Sequence, residues 1–330
     1  MSLADPEGIA ARLLRSGWLL LVASGAVFVL LILVSVSWRN NRFDLQAVSG
    51  LVEVTASTRA THTIGVKLAE GAEFRLFGTH LQNRPPELAQ AGDPYNGIRL
   101  TADSVVLESV VLDPDTILTL TSTTDGSPDL RIMVGGAIKL TLSGTIRQIA
   151  DNGVARQIAV TERPFGLDAT PSGTVVPVRL VLPAAGELKG IALYDQPIHR
   201  LDFTRPRPTN EDQRLPFQSE LLSGKLKLLD TGDELPLQPR ELIWLKEVAA
   251  TAGRLEFGAD GVAINASGHA LSIGIGPPRP GSPPLPDRDV TPSVLAYLLG
   301  QHELKLAWGA ALAVLAALWK ARQWAFKWGR

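Results

Sequence analysis

The chain has 330 residues, of which 45% are hydrophobic, and a formal net charge of −1. Such a balanced charge gives no electrostatic support to a nucleic-acid partner, so we expect none. Cysteine is absent, which excludes disulfides, a thiol nucleophile and thiolate metal ligands. Aromatic residues make up only 6% of the chain and methionine occurs twice, so a core large enough for an extracytoplasmic domain must be built mainly from Leu, Val, Ile and Ala.

The first predicted element is a transmembrane helix over residues 17–38. This segment, GWLLLVASGAVFVLLILVSVSW, contains no charged residue. At 1.5 Å per residue its length is about 33 Å, enough for the hydrocarbon core of a bilayer. Trp18 and Trp38 lie at its two ends, where tryptophan prefers the headgroup level. Residues 1–16 then form a short cytoplasmic N-terminus. A cleaved signal peptide and a buried helix of a soluble protein are the alternatives.

Residues 39–273 are predicted to form a β-rich extracytoplasmic domain, either sandwich-like or an irregular β-stack. Apolar and polar residues alternate in many short segments that contain Val, Ile and Thr, as expected for half-buried strands. Turn signals such as Asp125-Gly126 and Asn152-Gly153 separate these segments. A loop rich in proline and charge follows Arg205, and a division into two β subdomains near residue 210 is an alternative. The alternating segments are LVEVT at 51–55, AEFRLF at 72–77, TILTLT at 116–121, AIKLTL at 137–142, QIAVT at 157–161, VPVRLVL at 176–182 and LKGIALY at 188–194.

The later part of this domain gives two more specific predictions. Residues 254–257 and 262–265 are expected to form a hairpin around Asp260-Gly261, and 270–275 to add a strand. Residues 239–252 (PRELIWLKEVAATA) are predicted to form a helix, with Pro239 in the first turn and Gly253 after the last. A strand over 241–245 is the alternative for this segment.

The C-terminal region is predicted to return the chain to the membrane. Seven prolines favour an extended polyproline II linker over 274–292, and a short amphipathic helix follows at 293–303. A second transmembrane helix is predicted over 304–320, because Lys305 and Lys320 can snorkel at the ends of a short apolar run. An interfacial helix is the alternative. Nine residues are predicted to lie at the membrane interface: Trp18, Trp38, Trp308, Trp319, Lys320, Arg322, Trp324, Lys327 and Trp328.

Positive charges near the two apolar segments predict the orientation. Residues 321–330 form a basic tail with three Lys/Arg side chains, Arg322, Lys327 and Arg330, directly after Lys320. The positive-inside rule therefore puts the C-terminus in the cytoplasm, and two spans put the N-terminus there as well. The central domain is expected outside the inner (cytoplasmic) membrane, which in a Gram-negative cell is the periplasm.

Motifs for catalysis or cofactor binding are weak in this sequence. The five histidines, at 62, 80, 199, 269 and 302, are not spaced as metal ligands. Ser267 and His269 would share a face if they lay on a strand, but a turn after the hairpin is the simpler interpretation. Asp113 and Asp115 are interpreted as turn residues, and Gly135-Gly136 as a β-bulge. We therefore predict no catalytic residue, no metal and no cofactor.

These observations predict a non-enzymatic structural or interaction protein. Its partners are expected to be the lipid bilayer and another envelope protein, to which the β-domain is presented. An extracytoplasmic ligand or glycan sensor is the first alternative, although aromatic side chains for stacking on sugars are scarce. A membrane-anchored hydrolase is the second. The sequence identifies neither the partner nor the oligomeric state.

Overall fold

The computed structural model describes most of the chain from Asn41 to Pro292. The described residues are 41–67, 72–77, 80–82, 98–122, 127–149, 153–171, 177–182, 191–206, 217–258, 260–278 and 286–292, with the isolated positions 309, 313, 316, 319 and 320. All of them belong to the second of two units, Asn41–Arg330; the first unit is Met1–Asn40. The predicted first transmembrane helix therefore lies outside the described residues.

The described part of the domain is built from β-strands, which confirms the mainly β prediction. Twenty-two strands follow one another along the chain. They are β1 Asn41–Ser49, β2 Leu51–Ala56, β3 Ala60–Lys67, β4 Phe74–Phe77, β5 His80–Gln82, β6 Ile98–Thr101, β7 Ser104–Leu112, β8 Ile117–Ser122, β9 Pro128–Met133, β10 Ala137–Ile149, β11 Ala155–Thr170, β12 Val178–Val181, β13 Ala192–Asp202, β14 Thr204–Pro206, β15 Phe217–Ser219, β16 Leu221–Leu228, β17 Glu234–Leu237, β18 Leu242–Lys246, β19 Ala249–Gly258, β20 Gly261–Ala270, β21 Ser272–Pro278 and β22 Pro286–Asp289.

Seventeen of these strands form one large sheet in which every pairing is antiparallel. β1 lies between β16 and β20, so the first strand pairs with strands that follow it by more than 170 residues. β13 connects the C-terminal strands to the N-terminal ones, because it pairs with both β19 and β2. Strands from both sides of residue 210 therefore share this sheet.

The core follows from the alternation in the sequence. In β1, the side chains of Phe43, Leu45 and Ala47 are buried while Arg42 and Gln46 are exposed. The same period of two recurs along β8, β9 and β12, because neighbouring side chains of a strand point to opposite faces. The inward faces of early and late strands meet in one hydrophobic cluster. This shared core gives the domain its sandwich-like character.

The helix predicted over 239–252 is wrong, and the alternative strand interpretation is correct for part of it. β18 (Leu242–Lys246) pairs with β21, and β19 begins at Ala249. Arg240 has a positive φ of 67°, and Glu241 N–H donates to the Gln238 carbonyl at 3.2 Å, so Pro239 belongs to a turn rather than a first helical turn. A partner strand thirty residues further along supplied the hydrogen bonds that decide the conformation.

The hairpin at 254–265 is confirmed: β19 and β20 pair with Gly258 opposite Gly261. The strand predicted at 270–275 also exists, as β21. It leaves the large sheet, however, and forms a small sheet with β18 and β22. Gly135-Gly136 lies in the connection from β9 to β10 rather than in a bulge, and Gly136 has a φ of 87°.

The structure also differs from the extended linker predicted over 274–292. β21 continues to Pro278, and β22 returns antiparallel to it over Pro286–Asp289. Ile275 pairs with Arg288 in this hairpin. Pro277 and Pro278 lie at the irregular end of β21, and Pro286 begins the edge strand β22, positions where the missing N–H is tolerated. The chain folds back onto the domain instead of extending away from it.

The predicted membrane segments are only sparsely described. Within the described residues, no helix has both the length and the apolar character needed to cross a membrane. In the C-terminal segment, Gly309, Ala313, Ala316, Trp319 and Lys320 have helical backbone and are exposed. The amphipathic helix at 293–303 and the remaining interface residues lie outside the described part of the chain.

Candidate functional site

The most distinctive polar arrangement surrounds the start of β1, where the chain enters the domain. Asn41 is fully buried, and its side-chain Nδ2 donates to the carbonyl oxygens of Ala270 at 3.1 Å and Leu271 at 2.9 Å. These acceptors are at the end of β20, where the strand ladder stops and carbonyl groups need other donors. The side chain of Asn41 thus fixes the entering chain to the end of β20.

The neighbouring residue is fixed on the opposite side of β1. Asp230 accepts the backbone N–H of Arg42 at 2.7 Å and its Nε at 2.9 Å. The Asp230 side chain is only 1% exposed, whereas that of Arg42 is 50% exposed. Leu229 N–H also donates to the Arg42 carbonyl at 2.9 Å. A buried carboxylate needs such charge-assisted partners, so this pair fixes the end of β16 to the entering chain.

The last residues of the continuous described chain, up to Pro292, lie close to the same place. Ile273 N–H donates to Thr291 Oγ1 at 2.9 Å, and Val290 N–H donates to the Ile273 carbonyl at 2.9 Å. Thr291 N–H in turn donates to Asp289 Oδ1 at 2.9 Å. Ile273 is two residues from Leu271, which accepts from Asn41. We call this region, formed by Asn41, Arg42, Leu229, Leu271 and Thr291, the entry–exit end.

The outer face of the large sheet carries a second polar arrangement. Asp202, Glu53, Thr119, Arg131 and Arg179 follow one another in register across β13, β2, β8, β9 and β12. Burial raises the pKa of Glu53, and the neighbouring Asp202 acts in the same direction, while Arg200 opposes both. At the other end of the row, Arg179 Nη2 lies 2.7 Å from Asp129 Oδ2. Ion pairs of this kind on a half-exposed face are common structural features.

Glu73 shows the opposite electrostatic effect at another part of the sheet. Arg99 donates through Nε and Nη2 to the two carboxylate oxygens of Glu73, at 2.5 and 2.9 Å. These hydrogen bonds lower the pKa of Glu73. For Asp103, the backbone N–H of Thr145, 2.7 Å from Oδ2, likewise lowers the pKa. Both carboxylates are thus held in their ionised form by structural partners.

The described histidines do not converge. His62 is buried, and its Nε2 lies 2.7 Å from Oε1 of the fully buried Gln196. Gln196 Nε2 donates to the Pro197 carbonyl at 2.8 Å, so this pair is internally hydrogen-bonded across β3 and β13. His199 lies 3.7 Å from the exposed Asp115. His80 belongs to the short strand β5, and His302 lies outside the described residues.

Other residues considered in the sequence have structural surroundings. Ser267 and His269 lie on the exposed face of β20, inside the strand rather than in a turn after it. Asp113 is a turn residue, as predicted: its N–H donates to Thr116 Oγ1 at 3.0 Å, and its carboxylate accepts the Gly136 N–H at 3.2 Å. Among the described residues, no group of three or more His, Cys, Asp or Glu side chains is arranged to hold a metal ion.

Sequence reasoning missed most of the entry–exit end. Neither Arg42 nor Asp230 belongs to a motif that the sequence pattern indicates. Their separation of 188 residues leaves no local pattern that could have joined them. Asn41 and Leu271 are 230 residues apart. A buried asparagine and a buried aspartate at strand ends are recognisable only once their partner strands are known.

Comparisons with known proteins found no relative of this chain. No family model matches the chain, and neither a curated protein nor a solved structure matches it.

Proposed function

We propose that the chain is a membrane-anchored, non-enzymatic interaction protein that presents its β-domain to another envelope protein. One observation carries the proposal. Asn41, the first described residue of the domain, and Thr291, near the end of its continuous described part, are both hydrogen-bonded to the short stretch from Leu271 to Ile273. Two apolar segments that flank such a domain can lie in the same bilayer without stretching or unfolding it.

The direction of the strands supports a presenting role. β1 runs from Asn41 to Ser49, a length of about 26 Å at 3.3 Å per residue. The end of the domain around Ser49 and Leu222 is therefore the part most distant from the entry–exit end along these strands. The first apolar segment ends at Trp38, close to the start of β1. If that segment lies in the bilayer, the distal end is the part of β1 farthest from the lipid and can contact a partner protein.

A cysteine-labelling experiment tests the topology. Because the chain has no cysteine, Leu222→Cys creates a single thiol at a side chain that is 43% exposed. In intact cells, a maleimide that does not cross the inner membrane is expected to label this thiol. A control variant, Ala321→Cys in the basic tail, is expected to react only after lysis. Labelling of Leu222→Cys only after lysis would contradict an extracytoplasmic domain.

A crosslinking experiment tests the partner. A photoreactive maleimide attached to Leu222→Cys in native membranes is expected to give one discrete protein adduct, while the same reagent on Leu229→Cys gives none. If single cysteines at Leu222, Tyr194 and Arg131 all fail to give an adduct, the interaction role is lost while the topology stands. These positions sample exposed side chains of three different strands.

A further inference from the structure

Two exposed leucines flank the entering chain. Leu229 follows β16 and Leu271 follows β20, the two strands that pair with β1. Leu229 N–H donates to the Arg42 carbonyl, and the Leu271 carbonyl accepts from Asn41. Two inter-strand spacings of about 4.8 Å put them about 10 Å apart. Their side chains are 43% and 40% exposed, whereas the adjacent Leu228 and Ala270 are buried.

Covalent geometry limits how far these leucines can be from the predicted membrane segment. Trp38 ends that segment, and Asn41 is three residues later. A fully extended chain covers at most about 11 Å over this distance. The headgroup region of a bilayer is about 6–8 Å thick on each side. Anchoring through residues 17–38 therefore keeps the entry–exit end within reach of the headgroups.

Among the described residues at this end, the charges next to the two leucines are paired. Arg42 is paired with Asp230 at 2.9 Å, and Lys246 Nζ lies 4.0 Å from Glu247 Oε1. Lys246 also accepts the N–H of Leu271 through its carbonyl at 2.8 Å. Paired charges attract anionic lipid only weakly, because the opposite charges cancel within a Debye length. Apolar side-chain contact is the interaction with lipid that remains.

We propose that Leu229 and Leu271 form a leucine lip that inserts into the headgroup region of the same bilayer that anchors the chain. The inference rests on the proposed membrane anchoring and goes beyond it, because an anchored domain need not touch lipid at all. Contact on both sides of β1 resists tilting of the domain in two directions. The distal end around Leu222 is then held away from the lipid at a fixed height.

Depth-dependent quenching tests the lip in the full chain. Single cysteines at Leu229, Leu271 and Leu222 receive a small fluorophore, and each protein is reconstituted in neutral phosphatidylcholine vesicles. Leu222 is the matched control, since it is equally exposed at 43% but lies at the opposite end of β16. Nitroxide lipids labelled at the headgroup level are expected to reduce the fluorescence at Leu229 and Leu271, because apolar side chains that contact a bilayer are buried at the boundary between headgroups and acyl chains. The fluorescence at Leu222 is expected to stay unchanged.

A fourth label, on Val27→Cys in the first apolar segment, separates the lip from the anchoring. If deep nitroxides quench Val27 while Leu229 and Leu271 stay bright, the lip is overturned and the anchoring stands. If Val27 is also unaffected, the anchoring fails and the lip with it. Equal quenching of Leu222 would mean that the domain lies flat, which also overturns the lip. Quenching at Leu229 and Leu271 that disappears at about 1 M salt would indicate electrostatic attraction and contradict the apolar contact.

Discussion

The two ends of β1 are fixed in different ways. At the entry–exit end, polar side chains fix the strand: Asn41 donates to two carbonyls, and the buried Asp230 accepts from Arg42. At the distal end, the backbone of a tight connection fixes it. Gly50 N–H donates to the Glu220 carbonyl at 2.8 Å, and Ser122 N–H donates to the Gly50 carbonyl at 3.0 Å.

This difference has a physical reason. At the distal end, β1 continues directly into β2, so close backbone approach and short turns satisfy the hydrogen bonds. At the entry–exit end, the described strand begins at Asn41, and the side chain of this residue supplies the donors for the carbonyls of Ala270 and Leu271. Side chains with several hydrogen-bonding atoms thus make the hydrogen bonds that a continuing pair of strands would make through the backbone. Substitutions at the two ends should therefore fail for different reasons.

The largest effect is expected at the distal end from Gly261→Ala. Gly261 has a φ of 135°, and a Cβ there would lie 2.6 Å from the Ser49 carbonyl oxygen. Because neither backbone can move easily, we expect a loss of about 3 kcal/mol and a fall in Tm of about 6–12 °C. Thermal unfolding of the full chain in detergent, followed by circular dichroism, measures it.

The matched control is Gly232→Ala near the entry–exit end. Gly232 also has a positive φ, of 81°, but a Cβ there would have no atom within 4 Å. Only backbone strain of about 1 kcal/mol is then expected. Equal losses in the two variants would show that the close approach to Ser49 contributes nothing.

The second largest effect is expected from Asp230→Ala at the entry–exit end. The substitution leaves the Arg42 N–H without its carboxylate acceptor, although the half-exposed guanidinium can turn to water. We expect a loss of about 2 kcal/mol, and about 1 kcal/mol for Asp230→Asn, which keeps an acceptor. The exposed pair Lys225–Glu234, at 3.4 Å, provides the control. Glu234→Gln should change the free energy of unfolding by less than about 0.5 kcal/mol, and a larger loss there than at Asp230 would refute the buried-pair argument.

Smaller losses in the free energy of unfolding are expected when the buried polar side chain at either end of β1 is truncated. Asn41→Ala removes the donor to Ala270 and Leu271, and a loss of about 1.5 kcal/mol is expected. Ser49 Oγ donates to only one carbonyl, that of Leu51 at 2.6 Å, so Ser49→Ala should cost about 1 kcal/mol. Tm values of the two variants, measured side by side, check the order. A larger loss for Ser49→Ala would mean that side-chain fixation is not concentrated at the entry–exit end.

The smallest effect is expected at Glu53, a carboxylate whose burial is only partly offset by Arg200 and the hydrogen bond from Thr119. Burial raises its folded-state pKa, so the ionised form opposes folding at neutral pH, and this cost disappears as the pH falls through that pKa. Glu53→Gln should therefore raise Tm by about 1–2 °C at pH 7. Unfolding scans from pH 4 to pH 8 should show the gain vanish in acid.

Glu73→Gln provides the contrasting variant. Arg99 lowers the pKa of Glu73, so its contribution to stability is present above the unfolded-state pKa and is lost as the pH falls through the folded-state pKa. Neutralising this carboxylate should lower Tm at pH 7 and make no difference at strongly acidic pH. A destabilised Glu53→Gln variant with an unchanged Glu73→Gln variant would reverse both assignments.

Local pattern explains which parts of the fold could be predicted. Alternation at 51–55 and 137–142 lies within strands of the structure, and alternation at 116–121 overlaps β8 in all but its first residue. Asp260-Gly261 correctly indicated the hairpin between β19 and β20. The segment 239–252 was wrongly predicted as a helix, because Leu242, Leu245 and Val248 also fit one face of a helix. Pairing with β21 decided in favour of strand, and no feature inside the segment contains that information.

The candidate site was far less predictable than the fold. Arg42 and Asp230 are 188 residues apart, and Asn41 and Leu271 are 230 apart. The prolines between 277 and 286 suggested an extended spacer, yet β21 and β22 pair across them. Proline composition restricts φ and removes donors, but it does not determine whether the chain folds back.

By itself, the sequence determined the strand-rich class, the faces of many strands and the absence of thiol chemistry. Those properties depend on side-chain period and residue type, which are local. Only the tertiary structure decided that Asn41 and Thr291, which are 250 residues apart, are both hydrogen-bonded to the short stretch from Leu271 to Ile273. That property depends on which strands pair, and strand pairing is set by long-range hydrogen bonds and a shared core rather than by any short segment.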